Sequence, residues 1–166
     1  MNSSASPRVQ APASSWVVRP ATREDASGVV VAVQELLLEL GGAPPPVAAL
    51  RQTVRELIDD RDAGVVLVAR SGGDIVGMLA ASWQLAIHVP GRYATIQDLW
   101  VHPTWRSRSI GADLMTALVD LARQRNMARI EVGLPRESFR AIDATEAFYR
   151  NNDFQTLGPR MRRLLA

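Results

Sequence analysis

The residues best suited to chemistry lie in one short segment, where an apolar run gives way to a turn of arginines and small residues. Leu99–Val101 ends a predicted strand, Arg106–Ser109 forms the turn, and a predicted helix begins near Ile110. Unpaired backbone N–H groups and the positive end of the helix dipole make a helix N-terminus attractive to anions. Arg106 and Arg108 add charge that can fork onto phosphate oxygens. The pattern predicts a phosphate site, and an ordinary strand–turn–helix connection with solvated arginines is an equal alternative.

The turn matches neither of the common nucleotide motifs. A dinucleotide site would have G-x-G-x-x-G after the strand, and a nucleoside triphosphate loop would have G-x-x-x-x-G-K followed by serine or threonine. The turn instead reads Arg106-Ser107-Arg108-Ser109-Ile110-Gly111. It resembles the acetyl-CoA motif of the GNAT superfamily of N-acetyltransferases, an arginine or glutamine followed by x-x-G-x-G or x-x-G-x-A. Ser109 stands at the first glycine of that pattern, although serine disfavours a positive φ.

The resemblance to the GNAT superfamily extends over nearly the whole chain after residue 15. Three further segments are similar to family patterns and occur in the expected order: Val18–Thr22 with Asp25-Ala26, Val76–Met78, and Ala147–Tyr149 with Asp153-Phe154. Asp153 replaces the glycine of the usual Gly-Phe ending. The resemblance implies an α/β (α+β) fold, a mixed and mostly antiparallel central sheet flanked by about four helices.

The same resemblance implies where acetyl-CoA would bind. The backbone at the end of the strand would hold the pantetheine arm like an added strand, with one N–H facing the thioester oxygen. The pyrophosphate would lie on the turn and the start of the helix. The predicted cofactor-binding residues are therefore Leu99, Trp100, Val101, Arg106, Ser107, Arg108, Ser109, Ile110, Gly111 and Ala112. The side chains of Leu99 and Val101 are also expected to pack in the core.

Three residues are candidates for proton transfer. Tyr149 matches the tyrosine that hydrogen-bonds the departing thiolate in many family members; a helix tyrosine half in the core is the alternative. Glu131, in a strand that is otherwise apolar, and Asp98, just before the turn, are the two candidate general bases. For each acid, an ion pair with one of the many arginines is the alternative. Gln97 lies about where other relatives carry a glutamate, and an amide cannot act as a base.

The composition limits the classes of function. The chain has 166 residues, which suits a single domain over residues 16–166 after a disordered tail over residues 1–15. It has no cysteine and two histidines, so a metal site is not expected. All 19 basic residues are arginine, which keeps the pI near 9.9 at a net charge of only +2. Nucleic-acid binding is therefore not inferred from the pI, and no recognisable motif accompanies the basic cluster at Arg160, Arg162 and Arg163.

The periodicity predicts the element order β-α-α-β-β-β-α-β-α-β. A long strand from Ile75 to about His88 is expected to be broken by Pro90-Gly91, and Tyr93–Val101 is expected to form the next strand. The segment Phe154–Leu165 is predicted to hold one or two closing strands. No apolar run approaches the ~20 residues that span a membrane, and the lack of a secretory signal fits a cytoplasmic protein.

The sequence thus predicts an acetyl-CoA-dependent enzyme that acetylates a primary amine of a small molecule or peptide by direct transfer. A catalytically silent acetyl-CoA-binding sensor or assembly module is the alternative, because Ser109 and Gln97 depart from the family pattern. A homodimer and a monomer are both compatible with such a fold. Acids on the first two helices could attract a cationic amine, although a solvated helix face is the favoured interpretation: Glu35, Glu39, Glu56, Asp59, Asp60 and Asp62.

Overall fold

The computed structural model describes residues 15–164. The predicted tail lies outside the described residues except for Ser15, whose carbonyl oxygen accepts a hydrogen bond of 2.9 Å from the Ser71 hydroxyl. Five strands and four α-helices make up the described fold. In chain order they are β1 Val17–Pro20, α1 Ala26–Glu39, α2 Val47–Asp59, β2 Gly64–Ser71, β3 Asp74–Ala86, β4 Val89–Val101, α3 Ile110–Gln124, β5 Ile130–Val132 and α4 Ile142–Arg150.

The five strands form one sheet in the order β1-β2-β3-β4-β5. The first three pairings are antiparallel and β4–β5 is parallel. Only the β4–β5 connection needs a crossover, and α3 supplies it. The mixed, mostly antiparallel sheet with four helices confirms the predicted fold class.

Strand alternation divides the core into two layers. Leu79 faces a cluster that includes Leu114 and Leu118 of α3 and Tyr149 of α4. Its neighbour Met78 faces the opposite cluster, which α1 and α2 cover. Helices therefore pack on both faces of the sheet.

The parallel pair β4–β5 is short, and this opens the sheet. Ala94–Ile96 pair with Ile130–Val132, and β5 makes no pairing with β4 beyond Ile96. Asp98 lies opposite Ala80 while Ile96 lies opposite Ala81, so Gln97 is an extra residue that forms a β-bulge. From Gln97 onward, β4 keeps its hydrogen bonds to β3 and exposes its other backbone edge to the gap beside β5.

A buried carboxylate fixes the start of α1 against the sheet. Asp25 is 2% exposed and pairs with Arg19 of β1 at 2.7 Å and Arg70 of β2 at 2.6 Å. It also accepts a hydrogen bond of 2.8 Å from the backbone N–H of Thr22. Burial alone would raise the pKa of Asp25, but the hydrogen bonds from Arg19, Thr22 and Arg70 hold it well below its usual range.

Two of the predicted boundaries were wrong. Pro90-Gly91 does not end a strand, because the turn between β3 and β4 is Ile87-His88 and Ala86 pairs with Val89. Since Leu85 then pairs with Arg92, Pro90 and Gly91 are accommodated as a bulge, with Gly91 at φ +91°.

The closing strands predicted over Phe154–Leu165 are likewise not formed, as far as residue 164, where the described chain ends. Gly158 takes a φ of +128° and Pro159 has no backbone N–H, so neither residue can continue a strand ladder. Leu157 and Met161 are exposed in this extended segment.

Candidate functional site

The turn between β4 and α3 has the backbone that the glycine pattern requires, although serines occupy it. Ser107 and Ser109 adopt left-handed conformations, with φ of 61° and 70°. The first backbone bond of α3 runs from the N–H of Asp113 to the carbonyl of Ser109, at 2.9 Å. The N–H groups of the residues between them point out of the helix end. Ser109 therefore adopts the left-handed conformation that glycine is best suited to.

Two glycines let the start of α3 pack closely. A Cβ on Gly77 of β3 would lie 2.7 Å from the Cγ2 atom of Ile110, and a Cβ on Gly111 would lie 3.1 Å from the ring of Phe148. Gly77 therefore brings β3 against α3, and Gly111 brings α3 against α4. These contacts fix the N-terminus of α3 beside the end of β4.

The two arginines of the turn are in different environments. The guanidinium of Arg106 donates to the carbonyl of Val101 at 3.0 Å and to the Glu39 carboxylate at 2.6 Å. Arg108 is exposed, makes no ion pair with any residue from 15 to 164, and places its Cζ atom 5.0 Å from the centroid of the Trp105 ring. Arg108 is therefore the arginine of the turn whose charge is not already balanced by a carboxylate.

The end of β4 combines core packing with an open backbone edge. Leu99 and Val101 pack against the cluster under α3 and α4, and Trp100 packs in the cluster under α1 and α2. This is the core packing that we expected from the sequence for the side chains of Leu99 and Val101. The indole N–H of Trp100 is buried and has no hydrogen-bond partner within residues 15–164.

Tyr149 belongs to the buried cluster that α3 and α4 cover. It is 7% exposed, and its ring packs edge-on between Phe148 and Phe154, each with a centroid 5.3 Å away. Burial, with a contribution from the charge of Asp98, raises the pKa of Tyr149 to about 12. The phenol therefore keeps its proton throughout the physiological pH range.

Asp98 lies on the other face of the sheet from Tyr149. It lies opposite Ala80, which belongs to the cluster under α1 and α2, so its side chain points to that face. Asp98 forms no ion pair within the described part of the chain, and burial raises the pKa of its carboxyl group. The charge of Asp98 contributes to the raised pKa of Tyr149, although the two side chains face opposite sides of the sheet.

Glu131, by contrast, is held in an ion-pair network. Its carboxylate lies 2.5 Å from Arg129 and 2.8 Å from Arg160, and the residue is 9% exposed. This is the alternative that the sequence left open for both acids. Arg160 comes from the segment after α4, 29 residues away, so no local sequence signal could have indicated the pair.

The sequence analysis gave no role at the turn to three residues that support it. Glu39, at the end of α1, holds Arg106, and Trp105 lies beneath Arg108. Trp16 contacts Trp105 edge-on and donates a hydrogen bond to Asp113. Because 97 residues separate Trp16 from Asp113, only the folded chain shows this connection.

The geometry fits an extended ligand that ends in a pyrophosphate. Four features point to that ligand: the open edge of β4, the left-handed turn, the N–H groups at the start of α3, and the charge of Arg108, which no carboxylate in residues 15–164 balances. Residues 15–164 contain no group of three or more acidic, histidine or cysteine side chains placed to hold a metal ion. No helix in that range is long and apolar enough to cross a membrane.

Comparison with known sequences gives one family and one curated relative. The sequence model of the acetyltransferase (GNAT) family matches residues 31–154. An uncharacterized N-acetyltransferase from Archaeoglobus fulgidus is 32% identical over 97 residues. That alignment covers 57% of this chain and 63% of the relative, so the chain spans less than two thirds of the relative's length.

Comparison with solved structures extends the similarity to nearly the whole chain. A possible acetyltransferase from Clostridium difficile 630 has a TM-score of 0.77 at 17% identity, covering 91% of this chain and 97% of that one. A predicted acetyltransferase from Clostridium acetobutylicum, solved with acetyl-CoA, has a TM-score of 0.73 at 19% identity, covering 90% and 96% of the two chains. At these identities the structures support the fold alone.

Proposed function

The chain belongs to the acetyltransferase (GNAT) family, and on that premise we propose that it is an acetyl-CoA-dependent N-acetyltransferase. It would transfer the acetyl group directly to a primary amine of a small molecule or peptide. The observation that carries the proposal is the open backbone edge of β4, which leads into a left-handed turn and the start of α3, an arrangement suited to an extended ligand with a pyrophosphate. Asp98 and Tyr149 face opposite sides of the sheet at the end of this edge.

The chain offers separate contacts for the two ends of the cofactor. The open backbone edge of Leu99–Val101 supports binding of the pantetheine arm by strand-like hydrogen bonds. The N–H groups of Ile110–Ala112, together with Arg108, support binding of the pyrophosphate. When bound, acetyl-CoA supplies an activated acetyl group whose leaving group is a thiolate.

Asp98 is the proposed general base. An amine must lose a proton before or while its nitrogen bonds to the acetyl carbon. The Asp98 carboxylate, which is half-buried and has no arginine partner within residues 15–164, can take that proton directly or through water. Glu131 is less suited to this role because Arg129 and Arg160 already balance its charge. We therefore assign the base to Asp98 and a supporting role to Glu131.

Tyr149 is the proposed proton donor. As the C–S bond breaks, the departing thiolate needs a proton or a hydrogen bond, and a phenol can supply either. Because burial and the charge of Asp98 raise the pKa of Tyr149 to about 12, the phenol is fully protonated at neutral pH. A protonated amine would first lose one proton to solvent through Asp98. Its second proton would go to Asp98 and the phenol proton to the thiolate, after which Asp98 would return a proton to Tyr149, so one proton is released overall for each ammonium acetylated.

The acceptor would approach Asp98 across the face of the sheet on the side of α1 and α2. A polar surface lies there, where Gln97 on the β-bulge and Gln84 both direct their side-chain amides to the hydroxyl of Ser82, at 2.8 and 2.9 Å. These residues offer hydrogen bonds to a polar amine.

The test is amine-dependent release of CoA thiol from acetyl-CoA, measured over a panel of polyamines, amino sugars, amino acids and peptides. CoA binding is measured in parallel by calorimetry. Release that requires an amine would support the enzyme and begin to identify its acceptor. Binding without release over the whole panel would favour the silent binding module, and absence of binding would refute the proposal.

A further inference from the structure

Two tryptophans from distant parts of the chain meet beside the turn. The rings of Trp16 and Trp105 are nearly perpendicular, at 88°, with centroids 6.4 Å apart. The guanidinium of Arg108 lies 5.0 Å from the Trp105 ring centroid. We call these three side chains the tryptophan bracket.

The bracket is anchored to the helix that follows the turn. The indole N–H of Trp16 donates a hydrogen bond of 2.8 Å to the carboxylate of Asp113, in the first turn of α3. Trp16 itself precedes β1 and packs against the core cluster under α3 and α4. The bond therefore fixes the Trp16 ring relative to α3 and keeps the Asp113 carboxylate engaged.

Arg108 needs such support because the turn gives it little. It lies between two residues in left-handed conformation, Ser107 and Ser109, and it is exposed. A long side chain in that position would sample many rotamers in water, and ordering it on binding would reduce affinity. Stacking on Trp105 restricts the guanidinium while leaving its N–H groups available to a ligand.

Arg106, unlike Arg108, has its charge balanced by a carboxylate. Its guanidinium is occupied by Glu39 and by the carbonyl of Val101, so it holds the end of β4 to α1. Arg108 has an aromatic partner instead of a carboxylate. An aromatic face restrains a cation without neutralising it.

We propose that Trp105, supported by its contact with Trp16, is a positioning residue that holds Arg108 at the start of α3, where it can bind a phosphate group of CoA. The inference rests on the proposed function, since it concerns the same cofactor. It extends the site to two tryptophans outside the turn motif, one of them in the segment before β1. The contacted phosphate belongs to the pyrophosphate or to the 3′-phosphate of the nucleotide.

Calorimetric affinities for CoA, 3′-dephospho-CoA and pantetheine test the proposal without requiring activity. Arg108→Gln should weaken CoA binding about tenfold, which corresponds to one charged hydrogen bond. Trp105→Leu should weaken it about threefold, as expected for an exposed cation–π contact. The affinity of Trp105→Phe for CoA should remain close to that of wild type. Trp16→Phe should also weaken CoA binding, but by less than Trp105→Leu.

Pantetheine and Arg123→Gln are the controls. Pantetheine lacks both kinds of phosphate, so its affinity should be the same in all variants. Arg123→Gln removes the same charge from the last turn of α3, far from the turn, and should leave CoA affinity unchanged. The CoA effects of Arg108→Gln and Trp105→Leu should also shrink at high ionic strength, which a purely structural role would not produce.

The ligands also locate the phosphate. Equal loss with CoA and 3′-dephospho-CoA indicates the pyrophosphate, and loss with CoA alone indicates the 3′-phosphate. The proposal is overturned if Arg108→Gln binds CoA like wild type, or if Trp105→Leu weakens pantetheine as much as CoA. If one of these results is found while the wild-type protein binds CoA normally, only the role of the bracket is refuted and the proposed function stands. If the wild-type protein does not bind CoA, the role of the bracket and the proposed function are both refuted.

Discussion

Desolvation raises the pKa values of both Asp98 and Tyr149, with a different consequence for the role proposed for each. Desolvation disfavours charge on each group, and the negative charge of Asp98 further disfavours ionisation of Tyr149. The tyrosine is thereby kept as a proton donor. The aspartate becomes a stronger base than a carboxylate in water.

Replacing the phenol separates chemistry from binding. Tyr149→Phe should slow amine-dependent thiol release about 100-fold, the range expected for loss of a general acid. CoA affinity measured by calorimetry should stay near wild type, because the ring would still pack between Phe148 and Phe154. Unchanged turnover would show that the thiolate leaves without help from Tyr149.

The pH dependence should identify the base. Because burial raises the pKa of Asp98, kcat/KM should rise with pH as this carboxyl ionises, at a pH above the ~3.9 of an aspartate in water. Asp98→Asn should lower turnover and abolish that rise, whereas Glu131→Gln should keep it. A rise that persists in Asp98→Asn would move the assignment to Glu131 or to the amine itself.

The same pKa direction has a consequence for stability. A carboxyl whose folded pKa is raised stabilises the fold fully below its unfolded pKa, and that contribution is lost as the pH rises through the folded pKa. Asp98→Asn should therefore raise Tm at neutral pH and lose this advantage in acid. Asp120→Asn, an exposed change on α3, is the matched control and should do neither.

The sequence identified both acids but could not choose between them. The choice depends on Arg160, which approaches Glu131 from the far end of the chain, and on the absence of any such arginine near Asp98 within residues 15–164. A strand pattern shows which side chains share a face. It does not show which of 19 arginines will fold back onto that face.

At the scale of elements, the sequence predicted most helices and strands because each has a clear period. The wrong predictions of strand boundaries occur where a local sequence signal and the pairing between strands favour different structures. Pro90-Gly91 was interpreted as a break, yet it fits in a bulge because the Ile87-His88 turn joins β3 and β4. Residues 154–164 have strand-like alternation, but Gly158 and Pro159 interrupt the ladder that would use it.

The junction of β1, β2 and α1 should depend strongly on Asp25. Asp25→Asn leaves the arginines Arg19 and Arg70 without their carboxylate and should lower the free energy of unfolding by about 3 kcal/mol at pH 7. Because the folded pKa of Asp25 is depressed, its contribution is present above the unfolded value of ~3.9 and is lost as the pH falls below it.

Urea unfolding of wild type and Asp25→Asn at several pH values checks this prediction. The difference between the two proteins should narrow as the medium is made more acidic. Asp59→Asn removes an exposed ion pair with Arg23 and should cost much less. If Asp25→Asn and Asp59→Asn lowered the free energy of unfolding equally, the buried position of Asp25 would add nothing to stability.

The turn can be tested through its backbone. Ser109 has φ 70°, a conformation that disfavours side chains with a Cβ and suits glycine. Ser109→Gly should therefore stabilise the protein by roughly 0.5–1 kcal/mol and preserve CoA binding, whereas the β-branched Ser109→Val should weaken both. Destabilisation by glycine would indicate that the serine side chain makes a contact that outweighs the strain.

At the scale of the whole molecule, two distant segments converge on the gap beside β5. The strand before the turn and α4 meet there because β5 pairs with only three residues of β4. The sequence indicated the fold through the order of its motifs. It could not indicate the width of the gap, which depends on where a single parallel pairing ends.

The composition of these 166 residues makes a prediction about their own chemistry. The 166 residues include neither lysine nor cysteine, so the protein has no side-chain amine and no thiol that acetyl-CoA could acylate. Arginine remains protonated and is a poor nucleophile at neutral pH.

If transfer is direct, protein incubated with acetyl-CoA in the absence of acceptor should gain no acetyl group on any side chain. Intact-mass and peptide analysis checks this. An adduct confined to the N-terminal amine is compatible with direct transfer, whereas a side-chain adduct that an added amine discharges would establish an acyl-enzyme and contradict it.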